Sequence, residues 1–112
     1  MSGISTHVLD TSAGRPAPGV PVTLEQQTGN GWQRVGEGIT NQDGRIAELL
    51  AGAALAPGTY RLTFDTAIYF RTKNQGSFYP QVQVMFTVGD ERQHYHVPLL
   101  LSPYGYSTYR GS

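Results

Sequence analysis

The sequence predicts an all-β sandwich, and three observations support that fold class. Apolar and polar residues alternate with a period of two in several segments, which is typical of strands with one buried face. Turn-forming residues cluster between these segments, as in "TGNG", "NQDG" and "SPYG". Strand and turn signals follow one another along the whole of the 112 residues, which favours two packed antiparallel sheets.

Eight strands and one short helix are expected. "TYRLTFD" places Tyr60, Leu62 and Phe64 on one face, and the same alternation marks "VPVTLEQ" and "QVQVMFTV". The predicted strands are 4–9, 20–27, 32–36, 45–49, 59–65, 81–88, 92–101 and 104–110. "TAIYFRTKNQG" lacks clean alternation and predicts a helix over 66–74, whereas glycine and proline in "LLAGAALAPG" favour a loop.

Length and composition narrow the class of protein. A chain of 112 residues predicts a single domain, 1–112. The absence of cysteine excludes disulfides, thiol nucleophiles and cysteine metal sites. Eight basic and eight acidic residues leave no basic excess, so nothing indicates a nucleic-acid partner. A formal net charge of zero also permits self-association, because charge repulsion does not keep copies apart.

The predicted location is the cytoplasm. The first residues, "MSGISTHVLD", lack the basic and apolar regions of a signal peptide. The longest apolar run, "VPLLL", is far shorter than the ~18 residues of a membrane span. We therefore expect no membrane partner, and the absence of cysteine fits a reducing compartment.

The histidines are the first candidates for chemistry. His94 and His96 lie two apart in "RQHYHVPLL", so a strand points both to one face. With His7 they are candidates to bind zinc, although no acidic residue occurs from Gln93 onward to orient them. The alternatives are exposed or tyrosine-packed histidines, and a ligand or subunit surface. The concentration of histidine and tyrosine near the chain ends favours the last alternative.

Other catalytic patterns are weak. No GxSxG stands at a strand–helix turn, so a Ser-His-Asp triad is not indicated. Asp10 lies on the opposite strand face from His7 and is predicted to form the turn of "DTSAG" instead of orienting His7. Arg45 follows an Asp-Gly turn, where an arginine is usually solvated. The same "NQDG" turn carries too few oxygen ligands for calcium.

Three segments together resemble 5-hydroxyisourate hydrolases, the transthyretin-related enzymes of urate breakdown. These segments are "HVLD", "DGRI" and "HYHVPLLLSPYGYSTYRGS", and the similarity covers essentially the whole chain. It is strongest at the final "YRGS", which the transthyretin hormone carriers lack. The resemblance implies a transthyretin-like (prealbumin-like) sandwich of two four-stranded sheets with one short helix. It also implies a homotetramer, a dimer of dimers, with active sites at the dimer–dimer interface.

The resemblance further implies an activity. The substrate is 5-hydroxyisourate, and hydrolysis of a cyclic amide opens its ring to 2-oxo-4-hydroxy-4-carboxy-5-ureidoimidazoline without a cofactor. The family's site residues map onto His7, Arg45, His96 and the tail 109–112.

We hypothesise a role for each of these residues. His7 and His96 activate and orient the water and the substrate, since histidine titrates near neutral pH. Arg45 binds the substrate and stabilises the developing negative charge. Ser112 supplies its hydroxyl and the terminal carboxylate, and Tyr109 contacts the substrate from the pocket wall. The sequence leaves open which histidine is the base.

His94, Arg110 and Gly111 are candidates for supporting roles. Strand alternation predicts that Tyr109 and Arg110 face opposite ways, with Tyr109 in the cleft and Arg110 holding the tail. Residues appended after Ser112 are then expected to disturb the site.

Three other functions remain open beside metal-free hydrolysis. The first is a transthyretin-like carrier of an aromatic small molecule, the second is an accessory β-sandwich in a larger complex, and the third is a zinc enzyme.

Overall fold

A computed structural model describes residues 3–50 and 52–112, and these form two sheets with one helix. The strands are β1 Gly3–Asp10, β2 Arg15–Pro16, β3 Pro21–Thr28, β4 Gly31–Ile39, β5 Arg45–Ile46, β6 Gly58–Phe64, β7 Val82–Val88, β8 His94–Ser102 and β9 Gly105–Thr108. The helix α1 is Thr66–Thr72, between β6 and β7. No helix in the described ranges has the length and apolar character needed to cross a bilayer.

The first sheet is built around β1 and β8, which run parallel to each other along the whole length of β1. β9 pairs antiparallel with the other edge of β8. On the far edge of β1, β5 pairs at Thr6 and His7, and β2 pairs at Leu9 and Asp10. The sheet therefore has five strands, not the expected four, because two short strands share one edge position.

The second sheet has the expected four strands. β4, β3, β6 and β7 pair antiparallel in that order, with one irregularity in the register between Leu24 and Glu25. Together the two sheets and the single short helix confirm the predicted fold class.

The core lies between the sheets, where the predicted apolar faces meet. Tyr60, Leu62 and Phe64 are fully buried, as their alternation predicted. Residues from both sheets and from α1 join one apolar cluster. Its remaining members are Ile4, Val8, Ala17, Val20, Val22, Leu24, Leu49, Leu50, Leu55, Tyr69, Phe70, Val82, Val88, Tyr95, Val97, Leu99 and Leu101.

Several predicted boundaries differ from the structure. The strand predicted at 45–49 ends at Ile46, because the carboxylate of Glu48 turns back and accepts hydrogen bonds from the backbone N–H groups of Ile4 and Leu50. The strand predicted at 32–36 is longer, and the predicted helix 66–74 is shorter. The stretch "LLAGAALAPG" is a loop up to the start of β6, as expected, with Ala51 outside the described residues.

Asp10 forms the predicted turn after β1. Its Oδ1 accepts hydrogen bonds from the backbone N–H groups of Ser12 and Ala13 and from the hydroxyl of Ser12. Its Oδ2 accepts the hydroxyl proton of Tyr69 at 2.6 Å. The buried carboxylate of Asp10 therefore bonds to the turn and to Tyr69 of α1, and none of these hydrogen bonds involves His7.

Candidate active site

The parallel pairing of β1 with β8 gathers polar side chains on the sheet face turned away from the core. Ser5 of β1 lies opposite His96 of β8, and Gly3, two residues before Ser5, lies opposite His94. His7 follows two residues after Ser5 and so shares its face. Across the other edge of β1, Arg45 lies opposite His7. Five polar residues, four of them predicted for the site and one, Ser5, not predicted, thus occupy nearby positions on three strands.

A cavity of about 360 Å³ lies at this face. It brings together four of the residues that the sequence predicted for the site: Arg45, His94, His96 and Ser112. The other lining residues are Ser5, Thr6, Asn41, Ile46 and Ala47.

Ser5 links the two histidines and was not predicted as a site residue. Its Oγ lies 2.8 Å from Nε2 of His94 and 2.8 Å from Nδ1 of His96. The side chain is buried, at 8% exposure. Alternation alone places Ser5 on the face of His7, but its contact with His94 and His96 depends on the pairing of β1 with β8.

His96 is biased toward its neutral form. Burial lowers its pKa first, and the positive charges of His7, Arg45 and His94 lower it further. Its Nδ1 is held by Ser5, while Nε2 makes no hydrogen bond to a protein group within 3–50 and 52–112. A neutral imidazole with one unbonded ring nitrogen can accept a proton from water.

The turn before β5 fixes the position of Arg45. Oδ1 of Asn41 accepts hydrogen bonds from the backbone N–H groups of Asp43 and Arg45, at 2.9 and 3.0 Å. Gly44, with φ +74°, docks against β1, where its carbonyl oxygen accepts the N–H of Val8 at 2.7 Å. A side chain at Gly44 would meet the carbonyl oxygen of Val8, so glycine allows this close approach. Arg45 itself is exposed and extends from a well-anchored backbone.

His7 stands beside this cavity and is not one of its lining residues. It is half-buried, pairs with Arg45 across the strands and is close enough for its charge to lower the pKa of His96.

The tail returns to β8 and carries Ser112 into the cavity. The backbone N–H of Gly111 donates to the carbonyl oxygen of His96 at 2.8 Å, and the two residues form an isolated β-bridge. Arg110 stacks over the ring of Tyr95 at 4.6 Å, and its Nη2 donates to Oε1 of Gln93 at 2.7 Å. These contacts hold the tail against the strand that carries His96.

Tyr109 lies elsewhere in the subunit. It lines a separate cavity of about 210 Å³ with Arg110 and with residues of β7, and it is not among the residues that line the cavity beside His96. Because β9 ends at Thr108, strand alternation does not fix the faces of Tyr109 and Arg110.

No arrangement suited to a metal ion is formed by three or more histidine, aspartate or glutamate residues in the described part of the chain. Nε2 of His94 and Nδ1 of His96 are instead both engaged by the hydroxyl of Ser5.

Known proteins are similar to this chain in sequence and in fold. The model of the HIUase/Transthyretin family matches residues 4–111. The 5-hydroxyisourate hydrolase of Salmonella typhimurium is 53% identical over 109 residues, which cover 97% of this chain and 80% of that protein.

Two solved structures have a similar fold. The 5-hydroxyisourate hydrolase of Klebsiella pneumoniae has a TM-score of 0.87 and 40% identity, covering 99% of this chain and 100% of that one. Sea bream transthyretin in complex with thyroxine has a TM-score of 0.90 and 31% identity, covering 96% and 93%. The backbone is therefore similar to both, and sequence identity is higher to the hydrolases.

Proposed function

The chain belongs to the HIUase/Transthyretin family, and we propose that it hydrolyses 5-hydroxyisourate at the cavity beside His96. The observation that carries the proposal is the convergence of His96, Arg45 and Ser112 on one cavity, from three separate parts of the sequence. The identity of 53% to a 5-hydroxyisourate hydrolase over 97% of the chain supports the same activity.

His96 is the general base in this proposal. Its Nε2 takes a proton from water as the water oxygen adds to the ring carbonyl carbon. The carbon–nitrogen bond then breaks, and the same proton passes to the leaving ring nitrogen. The lowered pKa of His96 keeps the imidazole neutral and ready to accept a proton at neutral pH. His7, which lies beside the cavity and does not line it in one subunit, orients the water or the substrate.

Arg45 and Ser112 hold the substrate. A guanidinium offers a planar fork of donors, which suits a ring rich in oxygen and nitrogen acceptors. It also stabilises the negative charge that grows on the carbonyl oxygen as the water adds. Ser112 places its hydroxyl in the same cavity.

The functional assembly is a homotetramer, a dimer of dimers, in which a second subunit completes each site. Arg45, His94 and Ser112 are exposed in one subunit, so cover by a second subunit would shield the bound substrate and the reacting water from bulk solvent. β7 and β9 are edge strands of the two sheets formed by the described residues, and such edges favour pairing with another copy. Phe78 is 70% exposed, and Tyr109 is 55% exposed, as expected of subunit contacts. Contact of Tyr109 with the substrate then occurs across the interface.

We also place the reaction in the cytoplasm and assign it no cofactor. The absence of cysteine fits a reducing compartment. Every step above uses water and protein side chains.

Carrier function is the second candidate, because the TM-score to the transthyretin–thyroxine complex is 0.90. The cavity residues favour hydrolysis over the carrier function. Hydrolysis needs a base and an arginine in one cavity, as His96 and Arg45 are, whereas a carrier does not need them.

The test follows the decay of freshly prepared 5-hydroxyisourate by absorbance, with and without the protein. We expect the wild type to accelerate decay and His96→Asn to lose most of the acceleration, since a positioned base contributes ~10²–10⁴-fold. No acceleration over buffer by the wild type would refute hydrolysis. Sedimentation in the same buffer tests the tetramer, and a stable monomer at micromolar concentration would contradict it.

A further inference from the structure

We propose that Ser5 is a positioning residue that holds His96 with its ring proton on Nδ1, so that Nε2 faces the cavity as a proton acceptor. The proposal rests on the hydrolytic function above and identifies the group that prepares its base. It also gives His94 a role, as the acceptor of the Ser5 hydroxyl proton.

The hydrogen-bonding capacity of a serine hydroxyl limits the arrangements. A hydroxyl donates one hydrogen bond and accepts up to two. Ser5 Oγ lies 2.8 Å from a ring nitrogen of each histidine and has no other hydrogen-bond partner among residues 3–50 and 52–112, so its own proton goes to one histidine and it accepts from the other. The hydroxyl is buried, so leaving either bond unmade would cost stability.

Two arrangements satisfy both bonds when both rings are neutral. In the first, Nδ1–H of His96 donates to Ser5, and Ser5 donates to Nε2 of His94. In the second, Nε2–H of His94 donates to Ser5, and Ser5 donates to Nδ1 of His96. Only the first leaves Nε2 of His96 without a proton, because a neutral imidazole carries one proton in total.

Protonation of His94 selects the second arrangement. A histidinium carries protons on both nitrogens, so Nε2 of His94 must then donate to Ser5. Ser5 is forced to donate to Nδ1 of His96, and the proton of His96 moves to Nε2. His94 is exposed and can therefore exchange protons with solvent, while His96 is half-buried. The serine thus couples a solvent-facing histidine to the catalytic one.

Other charged groups face the same pair. His7 approaches from β1 and Arg45 from β5, and the uncharged hydroxyl of Ser112 approaches from the tail. His7 and Arg45 change the proton affinity of His96, whereas the bonds through Ser5 decide which of its two nitrogens carries the proton.

The decisive measurement is the tautomer of His96 in the substrate-free protein, by two-bond ¹H–¹⁵N correlation of ring-labelled histidines. At pH about 7.5, above the ordinary histidine pKa, we expect His96 to be Nδ1–H in the wild type. Ser5→Ala should shift it toward Nε2–H, and Ser5→Thr, which keeps a hydroxyl, should restore the wild-type pattern. His94→Ala removes the acceptor and should also shift His96 toward Nε2–H, which keeps the test usable if Ser5→Ala fails to fold.

Kinetics provide the second readout. Ser5→Ala should lower kcat roughly tenfold with little change in KM, because general-base efficiency depends on a correctly presented proton acceptor. Ser5→Thr should recover most of kcat. Ser107→Ala, at an exposed serine of β9 in the same sheet, is the matched control and should behave as wild type.

The role of Ser5 and the hydrolytic function can be refuted independently of each other. An Nε2–H tautomer in the wild type, or an unchanged His96 tautomer in both Ser5→Ala and His94→Ala, overturns the role of Ser5 whatever the activity. A wild-type protein that does not accelerate 5-hydroxyisourate decay overturns the hydrolytic function, while the tautomer spectra still report on Ser5.

Discussion

Gly111 and His96 are joined twice, through the backbone and through the packing of the glycine on the imidazole. The N–H of Gly111 donates to the carbonyl oxygen of His96 at 2.8 Å. A Cβ atom added at Gly111 would lie 2.6 Å from Cδ2 of the His96 ring, closer than nonbonded carbons approach. The absence of a side chain at Gly111 therefore allows the tail to lie against β8 and to bring Ser112 to the cavity.

The first prediction follows from this contact. Gly111→Ala should displace the His96 ring or the tail, and we expect kcat/KM to fall by roughly 10- to 100-fold, because small misplacements of catalytic groups are costly. Gly105→Ala is the matched control, since its added Cβ meets nothing closer than 3.7 Å. Steady-state kinetics of both variants make the comparison. Equal activity of the two variants would show that the packing on His96 is unimportant.

The second prediction concerns residues added to the tail. Ser112 lines the cavity, so a Gly-Ser-Gly extension after it has to occupy the cavity or pull Ser112 away. We expect at least a tenfold loss of kcat/KM, again through misplacement of site groups. The same three residues placed before Met1 are the control and should cost much less. A C-terminal extension that retains full turnover would remove Ser112 from the mechanism.

The third prediction is the acid limb of the pH–rate profile. Because burial and the charges of His7, Arg45 and His94 lower the pKa of His96, its basic form persists below the ordinary histidine pKa of about 6.5. Activity should therefore be retained as the pH falls through that value and be lost only at lower pH. His96→Asn should abolish this limb, and His7→Asn should retain it at a shifted position. A limb that is present in His96→Asn and absent in His7→Asn would make His7 the base instead.

The fourth prediction separates binding by Arg45 from its charge effect. Arg45→Gln should reduce kcat/KM by about 10²-fold through loss of a donor to the developing oxyanion. It should also raise the pKa of His96, because a nearby positive charge is removed, so the acid limb moves to higher pH. Arg34→Gln, at an exposed arginine of β4, is the control. An unmoved limb in Arg45→Gln would show that the two side chains do not interact.

The fifth prediction concerns stability at Asp10. Burial raises its pKa, but hydrogen bonds from Tyr69, Ser12 and Ala13 and the charge of Lys73 outweigh burial, so its pKa lies below the ordinary value. The stability this adds is present above the unfolded pKa of about 3.9 and is lost as pH falls through the lower folded value.

Asp10→Asn should therefore lower the free energy of unfolding by about 2 kcal/mol at pH 7. The difference from wild type should narrow below about pH 4, where the unfolded carboxyl protonates. Urea unfolding of wild type and Asp10→Asn at pH 7 and below about pH 4 measures this difference in free energy of unfolding. Asp43→Asn, at an exposed aspartate, is the control. A difference that is the same at both pH values would mean that the ionised carboxylate contributes nothing.

The sequence by itself determined the fold class and most members of the candidate site. The buried face of β6 follows from a period of two, which is a local property of an extended chain. The family resemblance of "DGRI" and of the C-terminal segment indicated Arg45, His96 and Ser112, which the structure brings to one cavity.

Only the tertiary structure decided which side chains touch. Ser5 meets His94 and His96, 89 and 91 residues away, because β1 and β8 pair in parallel in one particular register. Tyr109 and Arg110 share a cavity because the chain leaves β9 before reaching them. Alternation assigns a side chain to a face, but its neighbours on that face depend on strand order and register, which arise from packing between distant segments.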